Sequence, residues 1–178
     1  MTPTEINNLA KEIHVLNRKW WPKDINDRSK SEILILICSE VIECMEGERK
    51  DLMDDKLPHR KMAEVEMADT AIRVLDVMGA FNMPYVENSL EDSWVTNDKT
   101  TSNLVKADYL LNIVLVTTNG HFYLLPSTLF SNILYLVQEY CKIYNYDLWG
   151  AVREKLEYNK TRYDHSDEGR AAAGGKKW

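Results

Sequence analysis

Apolar residues recur along this chain mainly every three or four positions, the repeat of an amphipathic helix. In the first segment the repeat is Ile6, Leu9, Ala10, Ile13, Leu16 and Trp20. It predicts a helix capped by Thr4, running to about Trp20 and stopped by Pro22. A second helix is expected from Ser29 or Ser31, through the apolar run Ile33–Ile37, to about Lys50. Pro58 suits the first turn of a third, whose apolar line is Met62, Val65, Ala68, Ile72 and Leu75 and which Gly79 is expected to end. Met83-Pro84 opens a short segment, and VTNDKTTSN at 95–103 reads as a mobile loop.

The next stretch is ambiguous. Leu104–Val116 reads as a helix, yet VLVTTNGHFYLL also reads as a hairpin around Asn119-Gly120. Helix is preferred, because two strands alone are marginal in a chain that is otherwise helical. Ser127 then caps a helix carrying Phe130, Ile133, Leu134, Val137, Tyr140, Cys141 and Tyr144. Asp147 caps the last, which ends near Arg162. The expectation is one all-α domain over 1–162, a helical bundle, followed by a flexible tail at 163–178 that a ligand could order.

Composition changes this picture little. The 178 residues carry a net charge of −6, which argues against a broad nucleic-acid-binding surface. Cys38, Cys44 and Cys141 lie in apolar stretches without CxxC spacing and read as reduced thiols. The N-terminal MTPTEINNLAKEIH has no signal-like pattern, and no apolar run approaches the ~18 residues of a membrane span. A soluble, cytoplasmic protein with no membrane partner is expected.

Chemistry enters with two carboxylate pairs on apolar helices. Glu40 and Glu43 lie in ILILICSEVIECM, Glu66 and Asp69 in AEVEMADTAIRVLDVM. Residues three apart share a helix face, with Cβ atoms about 5–6 Å apart, so each pair projects together. Four converging carboxylates without four local cations call for a metal, and an all-oxygen set suits Mg²⁺, with Mn²⁺ as a substitute. The competing reading is a solvated acidic helix face. A ferritin-like di-iron site is disfavoured, because no glutamate stands three residues before His14, His59, His121 or His165. P-loop, dinucleotide-binding and serine-hydrolase motifs are absent.

The third helix continues its acidic stripe with Arg73 and Asp76. Arg73 is a candidate phosphate contact, and Asp76 could hold Arg73 or position a ligand. On the last helix Lys155, Asn159 and Arg162 share a face at spacings of four and seven, with Tyr158 beside them. They are candidates for phosphate or sugar, although cations near a helix C-terminus also favour the macrodipole. Lys176 in the tail could close over phosphates. Asn17 and Trp20 are candidate base contacts, Trp20 being equally suited to a core position, and Lys23 could reach a phosphate or solvate its turn.

The SEVIE at 39–43 and EMAD at 66–69 resemble the EExxE and ExxD motifs of the all-α nucleoside triphosphate pyrophosphohydrolases, the superfamily of MazG, dimeric dUTPases and dCTP pyrophosphatases. IRVLDVMG at 72–79 is similar to MazG-like members, as is DLWGAVREKLEYNKTRYDH followed by GGKKW. The likeness touches most of 29–80 and 147–178. It implies a MazG-like bundle completed by oligomerisation, as a homodimer or homotetramer. It further implies Mg²⁺-dependent cleavage of a (d)NTP to (d)NMP and pyrophosphate. Glu40, Glu43, Glu66 and Asp69 would be the metal ligands and the catalytic acids. Ser39 stands where the motif has its first glutamate, which removes one acid from the expected set. An alarmone or modified-nucleotide hydrolase, or a non-catalytic helical interaction protein, are the alternatives.

Overall fold

The computed structural model describes residues 1–18, 28–87, 103–120 and 127–162, with side chains from residue 106 onward in the third stretch. Six helices account for most of them: α1 (Pro3–Asn17), α2 (Lys30–Lys50), α3 (Met62–Ala80), α4 (Asn103–Asn119), α5 (Ser127–Ile143) and α6 (Leu148–Lys160). The protein is all-α. The described residues contain no strand beyond an isolated bridge between Met53 and Lys61. None of their helices is long and apolar enough to cross a membrane.

The centre of the fold is α3, which packs against α1, α2, α5 and α6. It is buried on nearly every side, including Val65, Met67, Ala71, Val74 and Leu75. A helix with apolar residues on most of its faces belongs inside a bundle, and much of the charged stripe of α3 is buried along with them. The outer helices present one apolar face each: Ile6 and Ile13 from α1, Ile37 and Val41 from α2, Phe130 and Ile133 from α5, Val152 and Leu156 from α6. α4 packs on α2 and α5.

Several boundaries differ from the sequence reading. Thr2, not Thr4, caps α1: Glu5 N–H donates to Thr2 Oγ1, and the Glu5 carboxylate accepts from Thr2 N–H at 2.7 Å. Pro3 then takes the first helical position, where its missing N–H is no loss. Ser29 caps α2 through Glu32 N–H, and Asp147 caps α6 through Gly150 N–H, as the sequence suggests. Ser127 is the first residue of α5, so it does not cap it from outside.

Pro58 does not open α3, which starts four residues later. Residues 52–62 close on themselves instead: Met62 N–H donates to Leu52 O and Asp54 N–H to Arg60 O. Gly79 does not end α3 either, since the helix runs one residue further. It sits where α3 crosses α1, and a Cβ there would lie 2.2 Å from Ala10 O. Its lack of a side chain permits a close approach. The hairpin alternative gives way to helix over 103–119. Residues 121–126, most of the 95–103 loop, the tail 163–178, and with them Trp20, Lys23 and Lys176, lie outside the described residues.

Candidate metal centre

α2 and α3 run antiparallel, as their contacts show. Gly47 lies against Met62 and Ala63, Glu43 groups with Glu66, and Glu40 meets Arg73, so each step along α2 retreats along α3. That register turns the two carboxylate pairs toward each other. Oxygens of Glu40, Glu43 and Glu66 all lie within 4.8 Å of one another. Glu40 and Glu66 are 6% and 5% exposed, whereas Glu43 faces solvent. Asp69 is half-buried one turn beyond Glu66, and its charge is felt by both Glu43 and Glu66.

Two cations are already committed to this cluster. Arg73 Nε donates to Glu40 Oε1 at 2.6 Å, and Lys155 Nζ pairs with Asp69 Oδ2 at 2.6 Å. Lys155 is 2% exposed, a burial that on its own would favour loss of its proton. The Asp69 carboxylate, joined by the charges of Glu66 and Asp54, outweighs that and holds the ammonium charged, above its ordinary range. α6 is docked to deliver Lys155 by Arg60. This guanidinium donates to Glu154 at 2.9 and 2.8 Å, to Glu64 at 2.7 Å and to Asp147 at 3.3 Å.

The remaining acids are frustrated. Burial, then repulsion from Asp69 and Glu40, pushes Glu66 to about 9, with Lys155 opposing. Asp69 is also raised, by burial first, against the pull of Lys155. Glu43 is raised by burial and by its neighbours Glu40 and Asp69. Among the described residues no cation stands within ion-pair distance of Glu43 or Glu66. Four carboxylates against two paired cations leave an excess of two negative charges (4 − 2) when all ionise. A hard divalent cation matches that excess and this donor set, so the residues fit Mg²⁺ or Mn²⁺.

The other predicted site residues divide. Arg73, read as a phosphate contact, is paired with Glu40, and Lys155 with Asp69. Asp76 does not hold Arg73. It faces α1, where His14 Nδ1 lies 3.0 Å from Asp76 Oδ1 and Asn17 bonds the same carboxyl. Asn17 is therefore part of a buried polar contact between α1 and α3 and not of the acid group. Asn159 is buried and accepts from Arg162 at 3.4 Å, and Arg162 in turn lies over the Tyr158 ring. Ser39 is outside the acid group, its hydroxyl donating to Leu36 O at 2.8 Å. The three cysteines are buried and free.

One residue near the cluster escapes the sequence reading. Lys56, in the closed loop between α2 and α3, exerts its charge on Glu43 and feels that of Glu66. The only signal for it is a lysine within DDK, which reads as a solvated turn. Comparison of the chain with protein-family models, with curated proteins and with solved structures finds no match.

Proposed function

We propose that the protein is a Mg²⁺-dependent nucleoside triphosphate pyrophosphohydrolase, converting a (d)NTP and water to a (d)NMP and pyrophosphate. One observation carries the reading: oxygens of Glu40, Glu43 and Glu66 gather within 4.8 Å, two of them buried, with fewer cations than the charge requires. A solvated acidic face does not account for burying Glu66 among Glu40 and Asp69 with no cation paired to it. The resemblance of SEVIE and EMAD to the pyrophosphohydrolase motifs supplies the reaction class.

Glu40, Glu43, Glu66 and Asp69 would hold the cation. Bound there, Mg²⁺ neutralises phosphate charge and acidifies water. The chain itself supplies positioning. Arg73 fixes the Glu40 carboxylate and Lys155 fixes that of Asp69, so two of the four ligands are oriented before any ligand arrives. Glu43 is the exposed member, which puts substrate on its side of the cluster. The oxygen of water would attack the α-phosphorus and release its proton to solvent, the bond from that phosphorus to the bridging oxygen would break, and pyrophosphate would leave.

We further propose that the protein is a cytosolic homodimer or homotetramer. In support, Ile35 and Ile42 on α2 are 56% and 51% exposed, and Leu111 and Leu115 on the neighbouring α4 are exposed as well. Light scattering would report a monomer mass if this were wrong.

The decisive test is release of pyrophosphate from a panel of NTPs and dNTPs with Mg²⁺. Glu43→Ala and Asp69→Ala should each abolish turnover while retaining the helical spectrum. Substantial activity in either variant would remove these acids from the reaction. A wild-type protein whose melting midpoint ignores Mg²⁺ and Mn²⁺ would favour a non-catalytic bundle instead.

A further inference from the structure

The acid cluster is ringed by three cations, and they are not equivalent. Arg73 and Lys155 are both spent on ligands, Glu40 and Asp69. Lys155 is also buried to 2% exposure, between α6 and α3, so it has little freedom to follow a substrate. Lys56 differs in each respect. Its Nζ is paired at 2.6 Å with Asp55, its own neighbour in the chain, whose side chain is 78% exposed. The lysine's own side chain is 30% exposed, so its stem is partly covered while its partner stands in water, and a pair with one exposed member is open to exchange for a better anion.

The backbone beneath Lys56, by contrast, is fixed. Asp54 is 2% exposed, and its Oδ1 accepts from both Lys56 N–H at 2.9 Å and Leu57 N–H at 2.6 Å. Arg60 N–H donates to Leu57 O, and the Met53–Lys61 bridge and the Met62–Leu52 hydrogen bond close the loop at its base. A rigid turn joining α2 to α3 therefore carries one long side chain whose cation is paired only with its own chain neighbour. The mutual field between Lys56 and the Glu43 and Glu66 carboxylates puts it within electrostatic reach of the cluster. A polyphosphate seated on the cluster would present oxygens that compete directly with Asp55 for the ammonium.

We propose that Lys56 is the residue of this chain that grips the substrate's phosphate tail, exchanging Asp55 for phosphate oxygens, while Lys155 serves to hold Asp69 in place. The proposal rests on the nucleotide-hydrolase reading above and assigns the phosphate contact within that site.

The test measures binding of inorganic tripolyphosphate with Mg²⁺, by calorimetry, to the full chain and to three variants. Mn²⁺ binding is followed separately by the loss of its free-ion paramagnetic signal. Lys56→Gln should weaken tripolyphosphate about tenfold or more, as loss of a charge-assisted phosphate contact does, while leaving Mn²⁺ affinity and the melting midpoint nearly unchanged. Lys56→Arg should restore most of the binding. Asp55→Asn, which releases the lysine from its rival, should tighten it about two- to fivefold, a gain that a merely structural loop residue would not produce. Wild-type-like tripolyphosphate binding by Lys56→Gln, in a protein that still takes up Mn²⁺, overturns the role of Lys56 alone. Failure of the wild type to bind Mn²⁺ or tripolyphosphate at all overturns the metal-dependent hydrolase reading and this proposal with it.

Discussion

Glu66 offers the sharpest physical test, because its carboxyl is stabilised neutral in the folded chain and ionised in the unfolded one. Its ordinary value of 4.5 rises to about 9 through burial and the nearby charges of Asp69 and Glu40. Between those two values the folded state holds a proton that the unfolded state has lost. Stability therefore falls as pH rises from about 4.5 to about 9 and changes no further above that. At about 1.4 kcal/mol per pH unit, going from pH 5.5 to 8.5 removes up to about 4 kcal/mol. Glu40 and Asp69 share the repulsion, so about half of that, roughly 2 kcal/mol, is assigned to Glu66 itself. Asp69, Glu43 and Asp76 are raised as well and bend the profile the same way.

Glu66→Gln keeps the shape and removes the ionisation. In urea denaturation with EDTA present, the wild type should lose at least about 2 kcal/mol more than Glu66→Gln between pH 5.5 and 8.5. Adding Mn²⁺ at pH 8.5 should restore the wild type, because a cation that binds only the folded state offsets the trapped charge. The variant should gain far less. Parallel pH profiles for the two proteins would refute the argument, since they would mean that Glu66 ionises in the fold as freely as in the open chain.

Arg60→Ala removes the one guanidinium shared by Glu64, Asp147 and Glu154 and should destabilise the chain by about 2–4 kcal/mol. Faster hydrogen exchange along α6 would accompany it, and unchanged protection there would contradict the docking role. Gly79→Ala should be destabilising by about 1–3 kcal/mol, because its methyl group meets the Ala10 carbonyl and must drive α1 off α3. A wild-type midpoint in thermal unfolding would show that the crossing has slack. Tyr140→Phe deletes a buried hydroxyl that donates to Glu48 at 2.7 Å, beside Tyr146 and Lys106 on the same carboxylate, and should lower urea stability by about 1–2 kcal/mol.

Helix existence was legible in this chain because each amphipathic helix writes its buried face into the sequence every third or fourth residue. Helix ends were legible only where the closing groups are local. Ser29 and Asp147 cap through residues three positions on, so spacing alone finds them. Pro58 misled because the bonds that delay α3, from Met62 to Leu52 and from Asp54 to Arg60, join residues far enough apart that no local pattern records them. Gly79 misled for the same reason on a larger scale, its partner Ala10 being on another helix. α4 was ambiguous because its apolar residues lie all round it, exposed Leu111 and Leu115 included, so no period distinguishes helix from strand.

The acids of the candidate site were legible for the same local reason, since three-residue spacing puts Glu40 with Glu43 and Glu66 with Asp69 before any tertiary contact forms. The cations were not. Arg73 is four residues from Asp69 on α3, and spacing alone leaves open whether it turns to substrate or to the facing helix. It is Glu40, 33 residues away, that captures it. Lys155 reaches Asp69 because α6 packs on α3 and Arg60 fastens it to the start of that helix, a dependence spread over three separate segments. This asymmetry has a chemical consequence. Each cation that turns inward to a carboxylate stiffens the acid cluster and lowers its charge, and under the proposed function is lost to the substrate. With Arg73 and Lys155 both turned inward, the affinity for a polyphosphate that the proposed function requires would have to come from a bound cation and from residues outside the cluster. A loop lysine that the sequence shows only as part of a polar turn is thereby promoted from solvating group to candidate phosphate ligand.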